Sequence, residues 1–252
     1  MKPLLPLVLG VAFAAGAAPA PSTAKIAIRA QSQTLHVYGT RGSPPAIVAS
    51  GDGGWVHLGP DVAEFLAASG YFVVGFDSKA YLSSFTDGEK TLSTNDIPGD
   101  FAALVKYAGE GASQLPLLAG VSEGAALAVV AAGDPAVKSK ILGLLALGLP
   151  EKAELGWRFR DSMIYITKGV PKEPTFDASN FVARVAPLPL VAIHSTHDEF
   201  VPVTEIQRVM ARALEPRQLH LIDAQNHRFS GAEPALHAEI LDAVEWMKAH
   251  RP

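Results

Sequence analysis

Apolar and polar positions alternate in KIAIRA (25–30) and TLHVYGT (34–40), the period-two pattern of a half-buried antiparallel hairpin. Beyond this hairpin the pattern changes. PPAIVAS (44–50) and YFVVGFD (71–77) are continuous apolar runs, each predicting a strand buried on both faces, and the first stops at the tight-loop signal GDGG. Between them the spacing predicts a helix from Asp61 to Ala68, with Gly70 as its C-terminal stop. Ser78 to Asn95 is polar, rich in Ser and Thr, and reads as a loop. A helix from about Ile97 to Gly109 follows, then a strand over Leu115–Ala119, a helix after Ser122 and a strand in ILGLLAL (141–147). Residues 150–186 carry Trp157 and several prolines and read as irregular. The pattern resumes with strand LPLVAIH (188–194), a helix near Thr204–Leu214, strand QLHLI (218–222), a loop through Gly231 and a helix over Pro234–Ala249. Strands alternating with helices in this way imply an α/β fold, a mostly parallel sheet covered by helices on both faces.

Composition narrows the class of protein. With 48% hydrophobic and 18% charged residues, the 252-residue chain is globular and far from the signature of disorder. A net charge of −4 without any basic cluster argues against a nucleic-acid surface and favours a small-molecule or lipid substrate. The first residues, MKPLLPLVLGVAFAAGAAPAPSTA, have one positive charge, an apolar stretch from Leu4 to about Ala15, and then small residues and prolines. That layout predicts a secretory signal peptide over residues 1–20, cleaved after Ala18 or Ala20, and a single domain over 21–252. The apolar run is shorter than the roughly 20 residues needed to span a bilayer. The expected location is the periplasm of a bacterium, or its exterior. The chain has no cysteine, which excludes disulfides, thiolate catalysis and cysteine-ligated zinc.

The chemistry concentrates in LPLLAGVSEGAALAVV (115–130), where an apolar strand meets Gly120-Val121-Ser122-Glu123-Gly124 and runs straight into a helix-favouring stretch. Gly-x-Ser-x-Gly at a strand-to-helix junction holds a serine on a sharp turn, and small residues on either side let strand and helix pass closely. A serine hydroxyl is a weak nucleophile at neutral pH, so it needs a base, and the base needs an orienting acid. In folds with this elbow the chain order is serine, acid, histidine. Asp198, just after LVAIHSTHD, and His227, in the loop LIDAQNHRFSG, satisfy that order. Glu199 is the alternative acid, less favoured because Asp198 stands directly at the strand end. His194 and His197 form a His-x-x-His pair, but on a strand-to-loop segment they point in different directions, and no further metal ligands stand out. Two backbone N–H groups must face the oxyanion of the tetrahedral intermediate; Glu123, after the nucleophile, supplies one, and Asp52 in SGDGGW, with Gly53 as second choice, supplies the other. No cofactor is implied.

SGDGGW, VVGFDSKAYL, GVSEGAAL, HDEFVP and NHRFSG together resemble the α/β-hydrolase superfamily and, more narrowly, the bacterial virulence protein VirJ/AcvB family, from about Ala46 to the C-terminus. The resemblance implies an α/β-hydrolase fold and a periplasmic serine hydrolase that removes the aminoacyl group from aminoacyl-phosphatidylglycerol. It also departs from that family's pattern: Val121, Glu123 and Ala126 replace the expected residues of the elbow, KAYLSSFTDGEKTL replaces an aromatic, arginine-bearing segment, and Arg228 follows His227. The loop 78–95 is expected to rise over the catalytic face, where α/β sheets bind ligands. There Asp87 and Glu89, with Glu123, are candidates to hold a cationic aminoacyl group, and Trp55, Tyr81 and Phe85 are candidates to line an acyl pocket. The expected activity is cleavage of a carboxylic ester through an acyl-enzyme. Acyl transfer on the same triad and a non-catalytic secretion-accessory role are the alternatives. A phospholipid substrate implies transient contact with a membrane surface.

Overall fold

The computed structural model describes residues 20–88, 90–158 and 173–252. The expected signal peptide therefore lies outside the described residues, except for its last position. The expected hairpin is β1 (Ser22–Ile28) and β2 (Gln31–Tyr38), paired antiparallel from Ser22↔Val37 to Ile28↔Gln31. β3 (Pro45–Ala49), α1 (Leu58–Ala68), β4 (Phe72–Phe76), α2 (Ser78–Ser84), α3 (Ile97–Gly109), β5 (Leu117–Val121), α4 (Glu123–Ala132), α5 (Pro135–Lys138) and β6 (Leu144–Leu147) follow. The chain then forms β7 (Lys152–Glu154), β8 (Thr175–Asp177), β9 (Leu190–Ser195), α6 (Val203–Arg212), β10 (Arg217–Ile222) and α7 (Glu233–His250).

Eight strands make one sheet in the order β1-β2-β4-β3-β5-β6-β9-β10, parallel from β4 to β10 and antiparallel where β2 meets β1 and β4. Its central strands are apolar throughout because helices cover both faces. Ala46, Val48, Val73, Ala119 and Ile193 pack under α1 and α7, while Ile47, Ala49, Val74, Leu118 and Ala192 pack under α3, α4 and α6. All ten residues of α4 are buried, which explains an alanine-rich sequence with no polar face. Among the described residues, no helix is long and apolar enough to cross a membrane.

Three regions differ from the sequence reading. Ser78–Ser84 is a helix, not the start of a loop: Asp77 caps it by accepting the N–H of Ala80 at 2.9 Å, and Tyr81 and Leu82 bury its inner face. Residues 150–186 are not wholly irregular; β7 and β8 pair antiparallel into a ribbon, Lys152↔Asp177 to Glu154↔Thr175, and short 3-10 turns at Ala178–Asn180 and Val182–Val185 return the chain to the sheet. Strands this short carry too few residues for a period to show. The strand expected at 115–119 is shifted to Leu117–Val121, so that Ser122 follows its last residue directly.

Candidate active site

Ser122 stands between β5 and α4 with φ 50° and ψ −118°, a conformation that non-glycine residues rarely adopt and that turns the chain through the elbow in one residue. Its N–H donates to Leu147 O at 2.8 Å, tying the elbow to β6, and its carbonyl accepts the N–H of Ala125 at 2.8 Å, starting α4. The flanking glycines are a matter of space. A Cβ on Gly120 would lie 2.4 Å from Gly124 O, and one on Gly124 would lie 2.4 Å from Ser50 O and 2.5 Å from Ala49 O. These contacts are with backbone that cannot move aside.

Asp198 leaves the C-terminal end of β9, and its two oxygens have separate tasks. Oδ1 accepts the N–H groups of Phe200 and Val201 at 2.9 and 2.8 Å, which fixes the carboxylate in its own turn. Oδ2 accepts Nδ1–H of His227 at 2.5 Å, from side chains only 1% and 12% exposed. Burial pushes the Asp198 carboxyl up, but the bond and charge of His227 and the two N–H groups outweigh it and hold the group below its ordinary range. With Nδ1 donating to the carboxylate, Nε2 is the free ring nitrogen of neutral His227. His227 and Ser122 line the same cleft, of about 690 Å³, together with Asp52, Glu123, Val56 and Phe200. Among the described residues no hydrogen bond joins Ser122 to His227. Approach of the two in the presence of substrate is the ordinary behaviour of such pairs.

The glycine loop after β3 packs on the elbow: a Cβ on Gly51 would lie 3.3 Å from Cβ of Ser122, and Gly54 N–H closes the turn onto Gly51 O at 3.1 Å. Asp52 sits in that turn, and Glu123 is the first residue of α4, whose N–H has no partner within the helix. His57, also on the cleft, has nearly the dihedral angles of Ser122, φ 56° and ψ −121°, because α1 starts as abruptly after its loop as α4 does after the elbow. The side chains of Asp52 and Glu123 give the cleft an acidic wall. Glu123 is 7% exposed, and its Oε1 accepts the N–H of Glu154 at 2.7 Å, joining the elbow to the β7–β8 ribbon. Burial, then the charge of Asp52, push its carboxyl well above the usual range, opposed by the Glu154 N–H. Burial also raises Asp52, against the pull of His227.

With this geometry in view, comparison with known proteins places the chain. Residues 45–246 match the family described as bacterial virulence protein (VirJ). The chain belongs to the VirJ family. Among solved structures, the fold is similar to the α/β hydrolase GrgF from Penicillium sp. sh18, at 15% identity over 91% of this chain and 99% of that one, with a TM-score of 0.67. It is also similar to the Pyrococcus furiosus esterase Pf2001, at 20% identity over 90% of each chain and a TM-score of 0.66. Est1E from Butyrivibrio proteoclasticus matches at 15% identity over 90% of this chain and 99% of that one, with a TM-score of 0.63. These likenesses show the α/β-hydrolase fold. No curated relative matches the chain.

In this VirJ-family chain the expected nucleophile, base and both expected oxyanion residues line one cleft, with the acid Asp198 buried behind His227, whereas of the expected substrate contacts among the described residues only Glu123 lies on it. Trp55 turns back onto the face of β2 and β4, stacked on His36 with ring centroids 4.8 Å apart and donating Nε1–H to the Tyr38 hydroxyl at 3.2 Å. Its indole fills the space above Gly75, where a Cβ would meet it at 2.2 Å. Tyr81 is fully buried, its hydroxyl donating to Asp100 Oδ2 at 2.6 Å, and Phe85 packs on Tyr81 and under the Arg29 guanidinium. Asp87 is in a tight turn with Lys90 and is not on the cleft. Glu89 lies outside the described residues. The wall expected from residues 78–95 is supplied instead by the β7–β8 ribbon, through Lys152, Glu154, Glu173 and Thr175. The cause is helix α2, which points Tyr81 inward. His194 is buried and donates Nε2–H to Val201 O at 2.8 Å, while His197 lies at the surface beside Asp223, so the His-x-x-His pair splits between core and solvent.

Sequence reading missed two supports of His227. Gly148, at the end of β6 with φ +59°, lies directly against the imidazole: a Cβ there would come 2.6 Å from Cε1. Phe200, 59% exposed, sets its ring edge to face on His227 with centroids 5.6 Å apart. The glycine at a strand end was a usable signal; the phenylalanine, in a polar turn, was not.

Proposed function

We propose that this VirJ-family protein is an exported serine hydrolase that cleaves a carboxylic ester. Ser122 Oγ attacks the ester carbonyl, His227 Nε2 takes its proton, and the N–H groups of Asp52 and Glu123 hold the oxyanion. His227 then returns the proton to the leaving alcohol, and water, activated by the same imidazole, attacks the acyl-Ser122 carbonyl and releases the acid. Asp198 holds the ring in the tautomer that leaves Nε2 free and stabilises the imidazolium formed in each half-reaction. The observation that carries this reading is the 2.5 Å bond between a buried Asp198 and His227 in the same cleft as a serine on a strained elbow.

The finer reading is hydrolysis of the aminoacyl ester of aminoacyl-phosphatidylglycerol. Support comes from VirJ membership and from the carboxyl side chains of Asp52 and Glu123 on the cleft, whose oxygens can accept N–H bonds from the ammonium of an aminoacyl group. That substrate places the enzyme at the outer face of the inner membrane, in keeping with the signal layout of residues 1–20. The test is labelling by a fluorophosphonate of the mature protein and of Ser122→Ala, followed by assay of aminoacyl-phosphatidylglycerol against simple esters. Labelling confined to the wild type, with preferred release of the amino acid, is the expected result. Folded wild type that does not label overturns the hydrolase reading, and equal turnover of uncharged acyl esters overturns the aminoacyl preference.

A further inference from the structure

The loop after β9 presents two consecutive carboxylates, and both reach His227. Asp198 Oδ2 accepts the ring Nδ1–H, and Glu199 Oε2 accepts the backbone N–H of the same residue at 2.7 Å. We infer that Glu199 is a positioning residue of the active site, fixing the main chain of His227 while Asp198 fixes its ring. This inference rests on the serine-hydrolase reading above.

The argument starts from how His227 is carried. Its loop is organised by bonds within itself: Asn226 Oδ1 accepts the N–H groups of Arg228 at 3.0 Å and Ser230 at 3.2 Å, Gln225 N–H donates to Ser230 O at 3.1 Å, and Phe229 takes φ 60°. Such a loop is internally rigid, yet those bonds do not set its height over the elbow. A bond to the ring alone leaves the Cα free to swing about the Nδ1–Oδ2 axis, carrying Nε2 along an arc. A second bond at the backbone N–H restrains that swing, because it pins the main chain of the same residue whose ring Asp198 holds. The backbone that carries Glu199 is itself fixed. Asp198 Oδ1 accepts the N–H groups of the consecutive residues Phe200 and Val201, closing a tight turn that contains Glu199. One turn therefore places both anchors, and a displacement of about 1 Å in a catalytic group can cost on the order of 100-fold in rate.

The alternative is that Glu199 merely satisfies an exposed N–H, which water would satisfy as well. The two differ in what the substitution moves. Glu199→Ala, assayed in the full mature protein, should lower kcat and the rate of fluorophosphonate labelling about 10- to 100-fold, with KM for a soluble ester within about twofold and Tm nearly unchanged. Glu199→Gln, whose amide oxygen still accepts the N–H, should retain kcat within about threefold. Wild-type labelling rates in Glu199→Ala overturn the inference and leave the hydrolase reading standing. A loss in Glu199→Gln equal to that in Glu199→Ala overturns it too, since the charge and not the bond would then be what matters. Absence of labelling in the wild type removes the hydrolase reading itself and this inference with it.

Discussion

Asp198 and His227, 29 residues apart in sequence, are joined by a 2.5 Å hydrogen bond at the C-terminal ends of β9 and β10. Substituting Asp198→Asn keeps the shape but presents an amide that donates as readily as it accepts, so the imidazole is free to take the wrong tautomer. The expected loss in kcat is about 10³- to 10⁴-fold, the scale found when a triad acid is neutralised. A second readout follows from the Asp198 carboxyl being held below its ordinary range. Its contribution to stability is present above the unfolded carboxylate pKa and is lost as pH falls through the folded one. The Tm of wild type should therefore fall more steeply below about pH 4 than that of Asp198→Asn. Parallel acid limbs in thermal scans from pH 6 to pH 3 would count against it.

Glu123 has the opposite sign. Burial and Asp52 raise its carboxyl, so the folded protein holds that proton more tightly than the unfolded chain does. The group costs nothing at low pH, and it opposes folding increasingly as pH rises above the ordinary glutamate range toward the folded pKa. Glu123→Gln keeps an acceptor for the Glu154 N–H and removes the ionisation. Its Tm should exceed that of wild type at pH 8 and approach it at pH 5, each kcal/mol being worth about 2–4 °C at this size. A Tm difference that does not depend on pH would show that folding leaves the proton affinity of Glu123 unchanged.

Much of this architecture was legible because the sheet is parallel and doubly covered. Runs such as AIVA and FVVGF have no polar alternation to confuse with surface, and the elbow glycines mark their own contacts, since neither Gly120 nor Gly124 has room for a Cβ. The triad positions were legible for the same reason: catalytic side chains stand at strand ends, and strand ends show in the pattern. The substrate wall was not. Its residues come from a three-residue ribbon, β7 with β8, too short to carry a period, and joined across a gap in sequence that no pattern spans. Trp55 and Tyr81 misled in the other direction. A large aromatic beside a catalytic loop is an obvious pocket residue, yet here one covers Gly75 and the other closes the buried end of a network of Arg29, Asp96 and Asp100 that opens to solvent at Arg29.

That network makes Tyr81 a structural residue with a measurable signature. Its hydroxyl donates to Asp100, which also accepts a bidentate pair from Arg29, at 3.0 Å from Nε and 2.7 Å from Nη2. Burial and the Asp100 carboxylate hold the phenol well above its ordinary pKa, so it stays protonated through the alkaline range. Tyr81→Phe should cost about 1.5–3 kcal/mol of stability, the worth of a hydrogen bond to a charged acceptor, and leave kcat/KM for any ester within about twofold. A change in substrate preference without loss of stability would return Tyr81 to the acyl pocket.

Gly148 offers the most direct test of the cleft, because it lies against the Cε1 edge of His227, between the nitrogen that bonds Asp198 and the one left free. Its φ of +59° already disfavours a side chain, by about 1–2 kcal/mol for an L-residue. A methyl group there would also meet Cε1 at 2.6 Å, Nδ1 at 3.1 Å and Nε2 at 3.4 Å. Of the two neighbours, the ring yields more easily than the strand, since Gly148 N–H is bonded to Ile193 O at 3.0 Å within the sheet. Gly148→Ala should therefore push the imidazole off Asp198 or away from Ser122, lowering the fluorophosphonate labelling rate about 100-fold or more while the protein remains folded, with Tm down by about 2–8 °C for a loss of 1–2 kcal/mol. Retention of the wild-type labelling rate in Gly148→Ala would mean that His227 works from a position other than the one against Gly148. The geometry of the whole proton relay would then have to be redrawn.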